Sequence, residues 1–158
     1  MKKLITFTLL LLFVFSTVVW AEEGRWIVVK SKDGNVMSVD SKTITTNKYH
    51  RQDKPSDHIL TCWIKLNIVS QECKDKVQQQ MDKEYPKKNI DFSNLSYALW
   101  KWHFDTNSDE CAEEDVVYFD ADSKEIFREK IKPTWQTIEP ESIDETFYNV
   151  AKAQLNIK

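Results

Sequence analysis

Glycine is scarce here: Gly24 and Gly34 are the only two in 158 residues. That excludes a glycine-rich loop cradling a phosphate and the G-x-S-x-G elbow of a serine hydrolase. Histidine is nearly as rare. His50, His58 and His103 stand far apart, and neither an H-E-x-x-H motif nor an S-x-x-K pair occurs. The spacing of the three cysteines, Cys62, Cys73 and Cys111, matches no zinc pattern: no two of them are close, and His58-x-x-x-Cys62 has no second such pair to complete a site. A dyad of Cys62 or Cys111 with His103 is the one nucleophile arrangement left to weigh. Exported cysteines are more often paired or buried than nucleophilic, so no catalytic residue and no cofactor are expected.

Long apolar runs are confined to the N-terminus. Met1-Lys2-Lys3 precedes an apolar run from Leu4 to Trp20, then Ala21-Glu22-Glu23. A short basic start, an apolar core and small or medium residues at Val19 and Ala21 read as a secretory signal peptide over 1–21. The alternative is a membrane anchor, but the run falls short of the roughly 18 to 20 residues a span needs. No Cys follows it to carry a lipid. The mature chain, 22–158, is long enough for one domain with its own core and has no further stretch suited to a stable membrane span. Its location is expected to be the periplasm, the outer surface or the medium.

A basic stripe is also missing. Of the 22 Lys and Arg, removal of Lys2 and Lys3 leaves 20 against 25 acidic residues, a net charge of −5. The signs are interspersed, which describes a solvated surface and not a nucleic-acid interface. In an oxidising compartment three cysteines predict one disulfide and one left-over thiol, and all three pairings stay open.

What is present is a pattern of strands. Arg25 to Lys30 is β-branched and aromatic; Ser31-Lys32-Asp33-Gly34 is a turn cluster; Asn35 to Asp40 returns as a hairpin partner. A short β-like piece is expected around Thr43-Ile44-Thr45, then an exposed polar loop over 48–57. From His58 to Val69, Leu60, Cys62, Ile64, Leu66 and Ile68 fall on one face, with Thr61, Trp63, Lys65 and Asn67 on the other. Ser70 is placed to cap a helix over 71–84 whose apolar stripe, Cys73, Val77 and Met81, is narrow.

The organising block is 95–155. A strand from Leu95 to Phe104 puts Trp100, Trp102 and Phe104 on one face, with Tyr97, Lys101 and His103 on the other. An acidic turn over 105–115, a strand at Val116 to Phe119, a tight turn at 120–124 and a strand at Glu125 to Ile131 follow. Pro133 ends it, and Trp135 is expected to tuck under a final helix. Ser142 and Glu145 form a capping box, and Ile143, Phe147, Val150, Ala151 and Leu155 make the stripe behind it. The predicted class is α+β: a single antiparallel sheet of about six strands with a C-terminal packing helix and one inserted helix.

Two clusters invite chemistry. Asp105-x-Asn107-x-Asp109 matches the first ligands of a calcium loop, but Glu110 stands where its glycine belongs and Val116 where its bidentate Glu belongs. A solvated turn is the expected reading, and no metal is assigned. If the two central strands pair, Trp63, Tyr97, Lys101 and His103 form a mixed aromatic and basic patch suited to a protein partner. The competing reading is that the 71–84 helix covers the patch as a second small core.

The order of landmarks resembles the surface-adhesin protein E-like group of small exported bacterial proteins. The residues that carry it are Trp26-Ile27-Val28-Val29, Asn35-Val36-Met37-Ser38-Val39-Asp40 with Thr43-Ile44, Trp63-Ile64-Lys65, Tyr118-Phe119-Asp120, and Trp135-x-x-Ile138-x-Pro140-x-Ser142-x-x-Glu145. They span most of the mature chain. The sequence departs from the group at Ser123, where a glycine is expected, and in the apparent insertion of the 71–84 helix. The resemblance implies a sheet-based, adhesin-like domain at the bacterial envelope that contacts host matrix or other surface proteins. The alternative function is that of a periplasmic accessory or inhibitor protein docking on an envelope partner.

Overall fold

The computed structural model describes residues 24–30, 36–46, 49–51 and 54–157. The expected signal peptide and the turn at 31–34 lie outside the described residues. The chain runs through β1 (Trp26–Lys30), β2 (Val36–Asp40), β3 (His50–Arg51), β4 (Lys54–Pro55), β5 (Ile59–Asn67), helix α1 (Gln71–Glu84), β6 (Leu95–Asp105), β7 (Glu110–Asp120), β8 (Glu125–Lys130), β9 (Gln136–Thr137) and helix α2 (Ile143–Gln154). The main sheet is antiparallel in the order β1-β2-β5-β6-β7-β8, with β9 added against the start of β7. β3 and β4 make a separate two-stranded ladder. The α+β class, the antiparallel sheet of six to seven strands and the two helices are those read from the sequence, to which the β3–β4 ladder is an addition.

Both helices lie on one face of the sheet, and alternation in β5 explains how. Leu60, Cys62 and Ile64 point into a cluster closed by Phe147, Tyr148 and Ala151 of α2. Leu66, two residues on, and Ile68 just past the strand enter a second cluster closed by Met81 of α1 with Phe92, Leu95 and Tyr118. Trp100 and Met37 touch both clusters, so the core is continuous beneath the two helices. Complete burial of side chains such as Phe104, Phe147 and Phe92 stabilises the fold by about 1.5–3 kcal/mol each.

The helix starts are set locally. Ser70 accepts from the Cys73 N–H at 3.2 Å and Ser142 from the Glu145 N–H at 3.1 Å. The capping box closes only by half, because the Glu145 carboxylate takes the Glu141 N–H instead of that of Ser142. Glu141 has φ +61°, which turns its N–H towards that carboxylate.

Several expectations need correction. The acidic segment 105–115 is mostly strand: β7 begins at Glu110, and the turn is only 106–109. Its carboxylates tolerate the sheet because Glu114 and Asp115 meet Lys101 and Arg128 on neighbouring strands. Trp135 does not tuck under α2. It meets Tyr49 edge-on at 5.7 Å, and Ile138 is the residue buried in the α2 cluster. Leu155 is 36% exposed because the helix ends at Gln154; Tyr148 takes its place, its ring 5.8 Å from Phe104 and its hydroxyl donating to Asp109 at 2.9 Å. Where the segment 48–57 is described it is not a plain exposed loop, since it carries β3 and β4 and buries Ser56. The piece at 43–45 reduces to an isolated bridge between Thr45 and Thr61.

No disulfide forms. Cys62, Cys73 and Cys111 are all free thiols. Cys62 lies on β5 and Cys111 on β7 with β6 between them, opposite Trp102 and Phe104 respectively. Two strand spacings amount to about 9.5 Å, beyond the roughly 7 Å at which two Cys can be bridged. Cys73 sits on α1, over the second cluster.

Candidate binding face

Among the described residues neither helix lies on the other side of the sheet, though Tyr49 packs over His103 there and Thr61, Ser38 and Val117 are buried. The reading in which the 71–84 helix buries the Trp63 patch therefore does not hold. Strand pairing places Trp63 opposite Lys101, Thr61 opposite His103 and Asn67 opposite Tyr97. The four residues singled out on sequence therefore share one face, but their environments differ. Trp63 and Tyr97 are half-buried, Lys101 keeps 31% of its side chain exposed, and His103 is 1% exposed.

Sequence reasoning placed Lys65 on this face without assigning it to the patch, and missed Trp26 and Phe119. Lys65 Nζ lies 4.3 Å from the centre of the Tyr97 ring and 5.5 Å from that of Trp26. Tyr97 stacks on Phe119 at 4.9 Å with the rings 15° apart. Trp26, Lys65, Tyr97 and Phe119 thus form a row from β1 to β7, and small, buried Ser38 leaves room for it between β1 and β5. Val28 extends the row at the edge and is 61% exposed. Alternation in the first hairpin puts Trp26 and Val28 on the face opposite Val29, and that was the available signal. Recognising the row required knowing which strands are neighbours.

His103 is withdrawn from contact with any partner. Tyr49 packs on its ring at 4.2 Å, Thr61 Oγ1 is 2.9 Å from Nδ1, and Glu114 Oε2 is 3.1 Å from Nε2. Burial pushes the imidazole down to about 4, against the pull of Glu114. A neutral ring facing a carboxylate donates from Nε2, so Nδ1 accepts from the Thr61 hydroxyl. Burial favours a protonated Glu114, but Lys101 at 2.5 Å and His103 outweigh it and hold the carboxyl below its ordinary value. The network fixes Glu114, which in turn holds Lys101 beside Trp63.

The other candidate chemistries are not assembled. Cys62 and Cys111 point into the α2 cluster while His103 points to the opposite face, so the sheet separates the weighed Cys–His dyads. Burial also raises the two thiols, to about 12 and about 11. In the acidic turn Asp105 Oδ1 accepts from the Asn107 N–H and Asp109 Oδ1 from Tyr148, as in a solvated turn tied to the helix. Among the described residues no group of three or more His, Cys, Asp or Glu is arranged to hold a metal. No helix among them is long and apolar enough to cross a membrane.

The geometry defines a two-layer α+β domain in which, among the described residues, both helices lie on one face of the sheet and neither on the other. Among solved structures the chain is similar to protein E of Haemophilus influenzae. One structure, from a non-typeable strain, matches at 12% identity and a TM-score of 0.47, over 82% of this chain and 74% of that one. A second matches at 14% identity and 0.45, over 82% and 83%. A further crystal form matches at 12% and 0.43, over 82% and 87%. No protein-family model and no curated protein sequence matches the chain.

Proposed function

We propose that this is an exported, non-enzymatic binding protein, adhesin-like in action, whose helix-free sheet face docks a host matrix protein or another surface protein. The observation that carries the reading is the row Trp26–Lys65–Tyr97–Phe119 with Trp63 and Lys101 beside it, on a face that neither helix covers. Half-exposed aromatic rings interleaved with lysines supply apolar area at low entropic cost together with charge for orientation. Lys65 is the cation best placed for a partner, since Arg25, Lys101 and Arg128 each face a carboxylate of their own.

The test is binding of residues 22–158 to immobilised matrix and plasma proteins, comparing wild type with Trp63→Ala and Lys65→Ala after folding is checked by circular dichroism. Saturable binding that either change weakens about tenfold or more supports the reading. Saturable binding untouched by both moves the site off this face. Absence of binding to the whole panel, with a partner cross-linked in the cell envelope instead, replaces host contact with an accessory role.

A further inference from the structure

On the opposite side of the sheet, α1 spans a cavity of about 240 Å³ that plays no part in the binding face. Val77 and Met81 of the helix and Trp100 of β6 give it apolar walls, while Glu113 of β7 and Glu129 of β8 bring carboxylates into the lining. No Lys or Arg lines it. Tyr118, 8% exposed, also lines the cavity, and its hydroxyl has no hydrogen-bond partner among the described residues. Glu129, Glu113 and Glu84 all act on that hydroxyl, so it sits among the carboxylates. Burial and the nearby Asp144 and Glu129 push the Glu113 carboxyl up. The surroundings therefore oppose a second negative charge and favour an incoming positive one.

We propose that this cavity is a binding site for a small organic cation: an ammonium head on a compact apolar or aromatic body. The head would sit between Glu113 and Glu129 and the body against Trp100, Val77 and Met81. The Tyr118 oxygen, which lines the cavity, accepts a hydrogen bond from the ammonium. The volume lies just below the roughly 300–1,000 Å³ of sites for drug-sized ligands, which selects a monoamine-sized guest. Charge decides between ligands of that size. Carboxylates without a lining cation repel anions, and a neutral guest leaves both without a counter-charge, Glu129 keeping only the Tyr85 hydroxyl as its partner.

The experiment is isothermal titration calorimetry of the whole mature chain with 2-phenylethylammonium, 2-phenylethanol and 3-phenylpropionate at equal ionic strength. Saturable binding of the ammonium is expected, about tenfold or more tighter than the alcohol, with no binding of the carboxylate. Glu129→Gln and Glu113→Gln should each weaken the ammonium about tenfold and leave the alcohol unchanged. Val77→Trp, which fills the cavity, should abolish binding of the ammonium. Backbone amide shifts confined to α1 and to 113–118 should report the location even where one variant fails to fold. Equal affinity for ammonium and alcohol, no saturable ammonium binding, or shifts on the opposite sheet face would each overturn the proposal.

Discussion

Acidification should destabilise this protein through His103 before its surface carboxylates are titrated. The ring is 1% exposed and titrates at about 4, against an ordinary 6.5 for an imidazole in the unfolded chain. A gap of that size corresponds to about 3 kcal/mol. Above pH 6.5 the ring is neutral in both states, and the folded state keeps the full contribution. Between 6.5 and about 4 the unfolded chain takes up the proton and the folded one refuses it, so stability falls by up to about 1.4 kcal/mol per pH unit. Below about 4 the loss from this group is complete. Glu114, whose folded carboxyl is also held low, adds a loss of the same sign further into acid. The assay is urea unfolding followed by tryptophan fluorescence from about pH 7 to about pH 4.5, for wild type and His103→Gln. Gln cannot titrate, so its stability should fall less steeply across the window, by nearly one proton's worth. An NMR titration of the ring supplies the second reading. A midpoint near 6.5, or parallel slopes for the two proteins, refutes the argument that burial outweighs Glu114.

The remaining expectations concern the thiols and one turn. Denatured without reductant, the chain should present three reactive thiols, and in the folded state at about pH 8 only Cys73 should react with a thiol reagent promptly, because Cys62 and Cys111 are buried with pKa values raised to about 12 and about 11. A single thiol in the unreduced, denatured protein would mean that a disulfide forms after all. Ser123 closes the β7–β8 turn at φ +61°, where a side chain costs about 1–2 kcal/mol, so Ser123→Gly should raise the unfolding free energy by up to about 1 kcal/mol; a fall in stability would show that the Asp120 bonds to the Asp122 and Lys124 N–H groups already carry the turn.

Elements with a local cause were legible without coordinates. The 71–84 helix follows from Ser70 and a stripe spaced by four, and β5 and β6 follow from strict alternation. The pairing of Trp63 with Lys101 needed only that those two strands be neighbours. Where an element depends on remote partners, local reading went wrong. Composition marks 110–115 as turn, yet β6 on one side and β8 on the other hold it as strand, and its acids are offset by Lys101 and Arg128 across the ladder. Proximity in sequence puts Trp135 near α2, but it immediately precedes β9, which pairs with β7, and it meets Tyr49 instead.

The sequence by itself determined the periods: which residues of each strand share a side, where the helices begin, and that polar and apolar sides exist. Those properties depend on groups within a few residues of each other. Only the tertiary structure decided that both helices cover the same side, that neither lies on the other, and that His103 is buried there while Lys65 bridges two aromatic rings. The physical reason is that a strand's alternation states two faces but not their coverings. Which face is buried depends on where chain segments distant in sequence close against it.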